Sequence, residues 1–537
     1  MDTVDQLLRA HWTDHRPGLL AAGATPLTRH QVAGAAAARA AWLRELLPGG
    51  REPHVGVLLG NVAEYPLWLG AAALAGAAVV GINPTRRGAE LARDIAHTEC
   101  AVIVTERAYR PLVAGCGLPL LVVDEPSYAS EVAAYGSAAP ADFPAAEPRT
   151  RMLLTFTSGS TGAPKAVIVT QGRLARAGAA LARQFALGAD DVHYLCMPLF
   201  HGNAVIAGWA PALVGGGAVA LRRSFSASGF LPDVQAYGAT YFTYVGRAIQ
   251  YVLATPETDG DRAHRLRLGF GTEAGDVDAA RFEARFGVPL VEGYGSSEGG
   301  AAVHRTPGTP AGAVGRAAPG EDLAVVDPAT GAQCPPGVIG ELVNRGGSAA
   351  RFEGYWRNDA AVAERRRGGW YWTGDLFYRD EDGWLFFAGR SDDRLRVDGE
   401  NLAAAVIENI LARWEPAAAV CVYAVPDPVT GDQVMAAVAP RDGAAFDPDG
   451  FRRFLDVQPD LGTKAAPRFV RVVASMPVTA TNKIRRSELR AEGFRCADPV
   501  WWAPDGGAYR PLAGEELDAL VAAYRERGRE GTIAWPG

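Results

Sequence analysis

Residues 155–165, TFTSGSTGAPK, gather three threonines, two serines, two glycines and a terminal lysine around one phenylalanine. Such a segment cannot pack a core. Glycines let a backbone turn its N–H groups inward, and such nests bind anions. Thr157, Ser158, Ser160 and Thr161 add hydroxyl donors, Gly159 adds a pliable backbone and Lys165 a cation. The set suits a polyphosphate. It is not the Walker pattern GxxxxGK[ST], because Lys165 follows Pro164 and precedes Ala166. A polar loop that binds nothing is the alternative at this point.

Positioning such a loop requires strands and helices around it. It follows the apolar run RMLLTFT (151–157), which reads as a buried strand. Upstream, strand-like runs (HVGVLLG, AVVGIN, CAVIVTE) alternate with helical ones (RHQVAGAAAARAAWLRELL, AEYPLWLGAAALAGA, RGAELARDIAHTE). Alternation of this kind implies parallel pairing with crossover helices. Downstream, HYLCMPLF, AVALR, TYFTYV and RLGFG are further candidate strands. After residue 303 short strands with Gly and Asp-Gly turns, among them Glu381-Asp382-Gly383, point to antiparallel structure. A boundary is expected near residues 389–394, followed by a small unit of helices and strands. The expected class is α/β: a large N-terminal domain (1–390) of α/β subdomains plus a small β-barrel-like part, then a small α+β C-terminal domain (391–537).

The totals fit a soluble globular protein of several domains. The chain has 537 residues, too many for one compact core. An apolar fraction of 48% and a charged fraction of 21% are ordinary for a soluble protein. A net charge of -7 with pI near 5.8 leaves no footprint for nucleic acid. The six cysteines form no CxxC pair, which argues against a zinc site or a disulfide framework and for a reducing cytoplasm. The longest uncharged apolar run, residues 67–82, is shorter than the roughly 18–20 residues a bilayer demands and reads as a buried helix turning into a strand. No integral membrane segment is expected.

Five segments together carry a resemblance. LTFTSGSTGAPKAVIVT resembles the phosphate-loop signature of the adenylate-forming superfamily of acyl-CoA synthetases, peptide-synthetase adenylation domains and luciferases. GYGSSEG (293–299), YWTGDL (371–376), GRSDDRLRVDGENL (389–402) and PVTATNKIRRSEL (477–489) resemble its later motifs, in the right order over nearly the whole chain. The GEN segment and the tail DPVWWAPDGGAYRPLAGEELDALV look similar to the fatty acid transport protein and very-long-chain acyl-CoA synthetase branch. The resemblance implies ATP, Mg2+ and coenzyme A as partners of a small-molecule carboxylic acid, and a C-terminal domain that moves between two steps.

The family's roles carry over residue by residue. Thr157, Ser158, Gly159, Ser160, Thr161 and Lys165 would cradle the β- and γ-phosphates. Glu298 would hold Mg2+ and Ser297, where Thr is usual, would face the α-phosphate. Tyr294 would stack on adenine beside Gly295 and Ser296, and Gly271, Thr272 and Glu273 would line the adenine and acyl channel. Asp375 would accept the ribose hydroxyls with help from Arg390. Lys483 would draw the carboxylate and α-phosphate together. Asp392 would be the hinge, with Gly399 and Glu400 facing the acyl group in the second step. His201 is either a gate at the acyl pocket or a structural histidine. Trp209, Tyr241, Tyr244 and Val245 are pocket walls or core, and 365–367 (Arg-Arg-Arg) reads as a solvated face. Trp501 and Trp502 either pack the tail onto the small domain or meet a greasy surface.

Two departures stand out: Ala166 replaces a common Gly after the loop lysine, adding a β-carbon beside the loop, and Val406 replaces a common Glu, while Glu408 survives. The leading expectation is an acid–CoA ligase. The competing ones are an enzyme loading a carrier-protein thiol, a member performing mainly one half-reaction, and a degenerate nucleotide-binding scaffold. No sequence feature sets the oligomeric state, and a homodimer is open.

Overall fold

Local signals in the chain account for the elements that form. The computed structural model describes residues 1–47, 53–157, 165–272, 274, 276–305, 308–390, 394–397, 400–429, 431–441, 444–462, 464–479, 483–504 and 506–533. Helix Arg29–Leu46 starts at a capping box: Thr28 Oγ1 accepts from the Gln31 amide, and the Gln31 side chain accepts from the Thr28 amide. The apolar run 67–82 is a buried helix, Glu64–Ala75, stopped by Gly76 at φ 69° and followed by the buried strand Ala78–Gly81. Contacts group the described residues into two units, one of Met1–Gly300 with Ser348–Arg367, the other of Ala301–Gly347 with Gly368–Gly537.

The first unit holds two mainly parallel sheets. One runs Leu120–Val122, Val102–Thr105, His54–Leu58, Ala78–Gly81, Arg151–Thr157, Lys165–Thr170, parallel up to its last pair. That last pair is an antiparallel hairpin. The other runs Leu290–Glu292, Leu268–Thr272, Tyr241–Val245, Val192–Leu195, Ala218–Leu221, Pro17–Ala21, Leu27–Thr28, again parallel except at its end. The expected strand HYLCMPLF is shorter than its apolar pattern: it ends at Leu195. The buried Asn61 amide takes over the backbone beyond it, donating to the Met197 carbonyl at 2.8 Å and accepting from the Leu199 amide at 3.0 Å. Those groups are thereby satisfied outside the ladder.

The second unit carries the antiparallel, barrel-like part. Its sheet orders Val303–His304, Ala313–Ala317, Leu385–Arg390, Trp370–Arg379, Gly340–Asn344 and Leu323–Val326. The Asp-Gly turn expected at 381–383 joins two of these strands, with Gly383 at φ 83°. The α+β part follows. Its sheet orders Ala417–Pro426, Asp432–Pro440, Phe469–Val472, Val500–Trp502 and Arg510–Pro511. Helices Ala404–Leu411 and Pro448–Asp456 contribute to one core, and Arg486–Glu492 and Glu515–Glu526 to another. Trp501 packs against the first core and Trp502 against the second, so the tail is a strand of this sheet. Alternation along the strand sends the two rings to opposite faces.

Candidate active site

The hydroxyl-rich segment joins the two strands of an antiparallel hairpin in the first unit, Arg151–Thr157 and Lys165–Thr170. Thr157 and Lys165 are paired across its two strands. Ser158, Gly159, Ser160 and Thr161 lie outside the described residues, as does the Thr157 side chain. The Lys165 side chain is 17% exposed, and its Nζ lies 3.3 Å from Glu364 Oε2.

The carboxyl ends of the second sheet bring the next group together, the usual location for ligands in open α/β sheets. Gly271 and Thr272 end the strand Leu268–Thr272 beside Tyr244 and Val245. Only glycine fits at 271, because a β-carbon there would lie 2.3 Å from the Tyr244 carbonyl oxygen. Tyr244 donates to Glu292 Oε1 at 2.6 Å, and the Ala274 amide donates to the same oxygen at 3.1 Å. Glu292 thus ties Tyr244 and the Ala274 amide to the segment carrying Tyr294, Gly295, Ser296, Ser297 and Glu298. Glu273 lies outside the described residues. His201 follows directly: its amide donates to the Pro198 carbonyl at 3.1 Å, and its ring leans on Phe200 at 4.4 Å. A β-carbon on the neighbouring Gly202 would sit 3.1 Å from Ser297 Oγ, so the His201 turn lies against the Ser297 hydroxyl.

Trp209, Tyr241, Tyr244 and Val245 are all buried. Tyr241 donates to the Ala207 carbonyl at 2.8 Å, inside a π-helical turn, Asn203–Trp209, that follows His201. Such turns break the regular ladder and leave a carbonyl for an outside donor. No local signal in the sequence marks this one.

Glu298 is 7% exposed and accepts a hydrogen bond from the Tyr355 hydroxyl at 2.9 Å through Oε1. Arg365 Nε donates to the same phenol oxygen at 3.3 Å. Burial first, then the Glu298 charge, pushes the Tyr355 pKa up, against the opposing pull of Arg365. On the other side, Arg173 donates to the Ser297 carbonyl and, at 3.1 Å, to the Ile168 carbonyl. Tyr355, Arg365 and Arg173 escape sequence reasoning. Residues 365–367 are not merely a solvated face: Arg365 reaches Tyr355, and Arg366 donates to the Phe352 carbonyl at 2.7 Å. A run of three arginines reads by composition alone as surface, whatever its members reach.

In the second unit Asp375 and Arg390 face each other across paired strands. Both follow glycines in the left-handed region, Gly374 at φ 73° and Gly389 at φ 119°. These glycines sit at register shifts, as in bulges that re-aim a side chain. The buried Glu341 fixes the turn by accepting from the Gly374 amide at 2.8 Å. Asp375 is 3% exposed, with Arg390 Nε 3.0 Å from its Oδ1. A buried carboxylate steadied by one cation is a bidentate acceptor, suited to a vicinal diol.

Lys483 is exposed on a loop closed upon itself: the Thr479 amide donates to the Lys483 carbonyl at 2.8 Å, and the Lys483 amide to Thr479 Oγ1 at 3.1 Å. Asp392 and Gly399 lie outside the described residues, and of Glu400 only the backbone, in strand Glu400–Ala403, is described.

No three acidic, histidine or cysteine side chains converge among the described residues. Glu298 is a buried carboxylate that could hold a Mg2+ ion, a cation that takes one or two carboxylates and fills its shell with phosphate and water. Among the described residues no helix is long and apolar enough to cross a membrane.

Comparison with known proteins decides the lineage. The pattern of the AMP-binding enzyme family matches residues 10–356, and that of the AMP-binding enzyme C-terminal domain matches residues 406–483. The chain belongs to the AMP-binding enzyme family. It is 50% identical over 497 residues to a steroid-22-oyl-CoA synthetase of Rhodococcus jostii, covering 89% of each chain. It is also 50% identical over 465 residues to a medium/long-chain-fatty-acid–CoA ligase of Mycobacterium tuberculosis, covering 87% of this chain and 91% of that one. A crystal structure of an anthranilate CoA ligase in complex with anthranoyl-AMP superposes with TM-score 0.82 at 22% identity, covering 91% of this chain and 96% of that one, and shares the fold. This AMP-binding enzyme is an ATP-dependent, AMP-forming acid–CoA ligase.

Proposed function

We propose that this AMP-binding enzyme activates a hydrophobic carboxylic acid of polycyclic or medium-to-long aliphatic skeleton and passes it to coenzyme A in the cytoplasm. What carries the reading is the 50% identity, across nearly nine tenths of the chain, to ligases named for a steroid-22-oyl and a medium/long-chain acyl group. The carboxylate attacks the α-phosphorus of ATP, forming the acyl-adenylate and releasing pyrophosphate. The CoA thiol then attacks the acyl carbon, giving the thioester, AMP and a proton. A free carboxylate resists nucleophiles because it is an anion, and the mixed anhydride supplies a leaving group.

The side chains divide this work. Lys165 and the loop 157–161 offset the phosphate charges, a unit pair at 4 Å being worth about 4 kcal/mol at an effective dielectric of 20. Glu298 holds Mg2+, which draws charge off the phosphates when bound. Asp375 takes the ribose diol and Arg390 steadies it. Tyr294 stacks on adenine, Ser297 meets the α-phosphate, and Lys483 brings the two reacting anions together. His201, set against Ser297, stands at the acyl entrance. A boundary at 390/391 with Asp392 as hinge lets the C-terminal domain turn between steps, withdrawing Lys483 and presenting Gly399 and Glu400.

A screen of acids with purified protein, ATP and CoA, detecting AMP and thioester separately, tests the proposal. A steroid C22 acid or aliphatic acids of roughly 8–18 carbons should give both products. Turnover confined to short, aryl or sulfonated acids would overturn the substrate class, and AMP without thioester would overturn the acceptor.

A further inference from the structure

The segment 354–356 is zipped onto the strand that begins with Lys165. The Ile168 amide donates to the Gly354 carbonyl at 3.1 Å, and the Trp356 amide to the Ala166 carbonyl at 2.8 Å. Tyr355 lies in an antiparallel bridge with Val167. Its ring is 3% exposed and its hydroxyl ends on Glu298. The short helix Asp359–Arg365, capped by Asn358, then returns to the same place. Its last two residues reach two different parts of the phosphate site: Glu364 lies 3.3 Å from Lys165, and Arg365 donates to the Tyr355 oxygen.

We propose that Arg365 is a positioning residue for the nucleotide site, acting through Tyr355 on Glu298. This rests on the reading of Glu298 as the carboxylate that meets Mg·ATP. A guanidinium hydrogen-bonded to a phenol oxygen polarises the O–H and strengthens its donation to the carboxylate. Tyr355 thereby engages Oε1 of Glu298 and fixes the rotation of the carboxyl group, so that Oε2 keeps one direction. Partners behind a metal-binding carboxylate commonly matter by 10–100-fold in metal affinity. Arg365 is one step further back and half-exposed, which places its effect at the low end, about 10-fold.

The test uses the full-length enzyme with a non-hydrolysable ATP analogue and Mn2+, binding being read by electron paramagnetic resonance, alongside KM for ATP and for the acid. Tyr355→Phe and Arg365→Gln should each weaken Mn2+ in the ternary complex by about 10-fold. Both should raise KM for ATP and leave KM for the acid unchanged. Arg365→Lys should recover part of the loss, and the double variant should be no worse than Tyr355→Phe. Additive losses in the double variant would mean that Arg365 acts on the nucleotide directly, and would overturn the relay. If Glu298→Gln weakens Mn2+ while the other two variants do not, the relay is wrong and the Glu298 reading stands. If Glu298→Gln has no effect, the Glu298 reading itself falls. Tyr355→Phe removes a single oxygen, so it keeps the test decisive should Arg365→Gln fold poorly.

Discussion

Replacing Glu408 by alanine should loosen the anchor behind Lys483. Glu408 lies on helix Ala404–Leu411 and makes three hydrogen bonds: Oε1 accepts from the Val422 amide at 2.7 Å, and the two oxygens accept from Arg486 Nη2 at 2.7 and 2.9 Å. The side chains are 17% and 23% exposed, which puts the pair between surface and core. A hydrogen bond to a charged group contributes about 1.5–3 kcal/mol, and a partner left unpaired adds its desolvation cost. Discounting for solvent at this exposure, the loss should be about 2–3 kcal/mol. For a unit of this size that is roughly 5–10 °C in Tm. Arg486 opens the helix that follows Lys483 by three residues, so the lysine loop should lose its reference point. Acyl-adenylate formation, followed by pyrophosphate exchange, should fall by about an order of magnitude, equivalent to ~1.4 kcal/mol. Thioester formation from a supplied acyl-adenylate should change little. A double-mutant cycle with Arg486→Ala isolates the pair, and its coupling should exceed about 1 kcal/mol. Coupling near zero, or equal falls in the two half-reactions, would refute the reasoning.

Lys483→Ala should abolish adenylation yet leave much of the CoA step when acyl-adenylate is supplied, and equal loss of both would count against its role. Asp392→Pro should impair the CoA step more than adenylation, by stiffening the hinge; if both fell together, rotation about Asp392 would be excluded. Glu364→Gln should free Lys165 and lower KM for ATP by up to about fivefold, since so exposed a pair is worth at most about 1 kcal/mol. The gain should fade at high salt, and an unchanged KM at low salt would show that the pair does not restrain the lysine. Burial, opposed only in part by Asp191, holds the His193 pKa down at about 4 from an ordinary 6.5. Between those values the unfolded chain binds a proton that the fold refuses, so stability falls as pH drops, by about 1.6 kcal/mol from pH 6.5 to 5. Urea unfolding should show a shallower acid slope for His193→Gln than for wild type; parallel slopes would count against it.

Most of the architecture was legible because its signals are local. The run 67–82 carries both a helix stop at Gly76 and a following strand, and the structure uses both. Residues 193–200 misled because apolar content alone does not say where a strand's hydrogen-bond partners run out. That limit is set by Asn61, more than a hundred residues away in the chain. The π-helical turn after His201 is equally non-local, depending on Tyr241 from another strand.

The candidate site divides along the same line. The residues proposed to touch a ligand sit in motifs of unusual composition, and so Lys165, Glu298 and Asp375 stand out in the sequence. Residues that hold them, such as Tyr355, Arg173 and Glu341, look like ordinary helix or strand residues, and only the fold brings them to their partners. Ala166 shows the same limit from the other side. Its sequence position, next to the loop lysine, suggests a methyl group intruding on the phosphates. Side chains alternate along a strand, however, and the one after Lys165 must point to the other face. The Ala166 side chain is fully buried in a core of Leu154, Phe156 and Trp356, while its carbonyl receives the Trp356 amide. The extra β-carbon therefore adds to the packing beneath the strand from which Lys165 is presented.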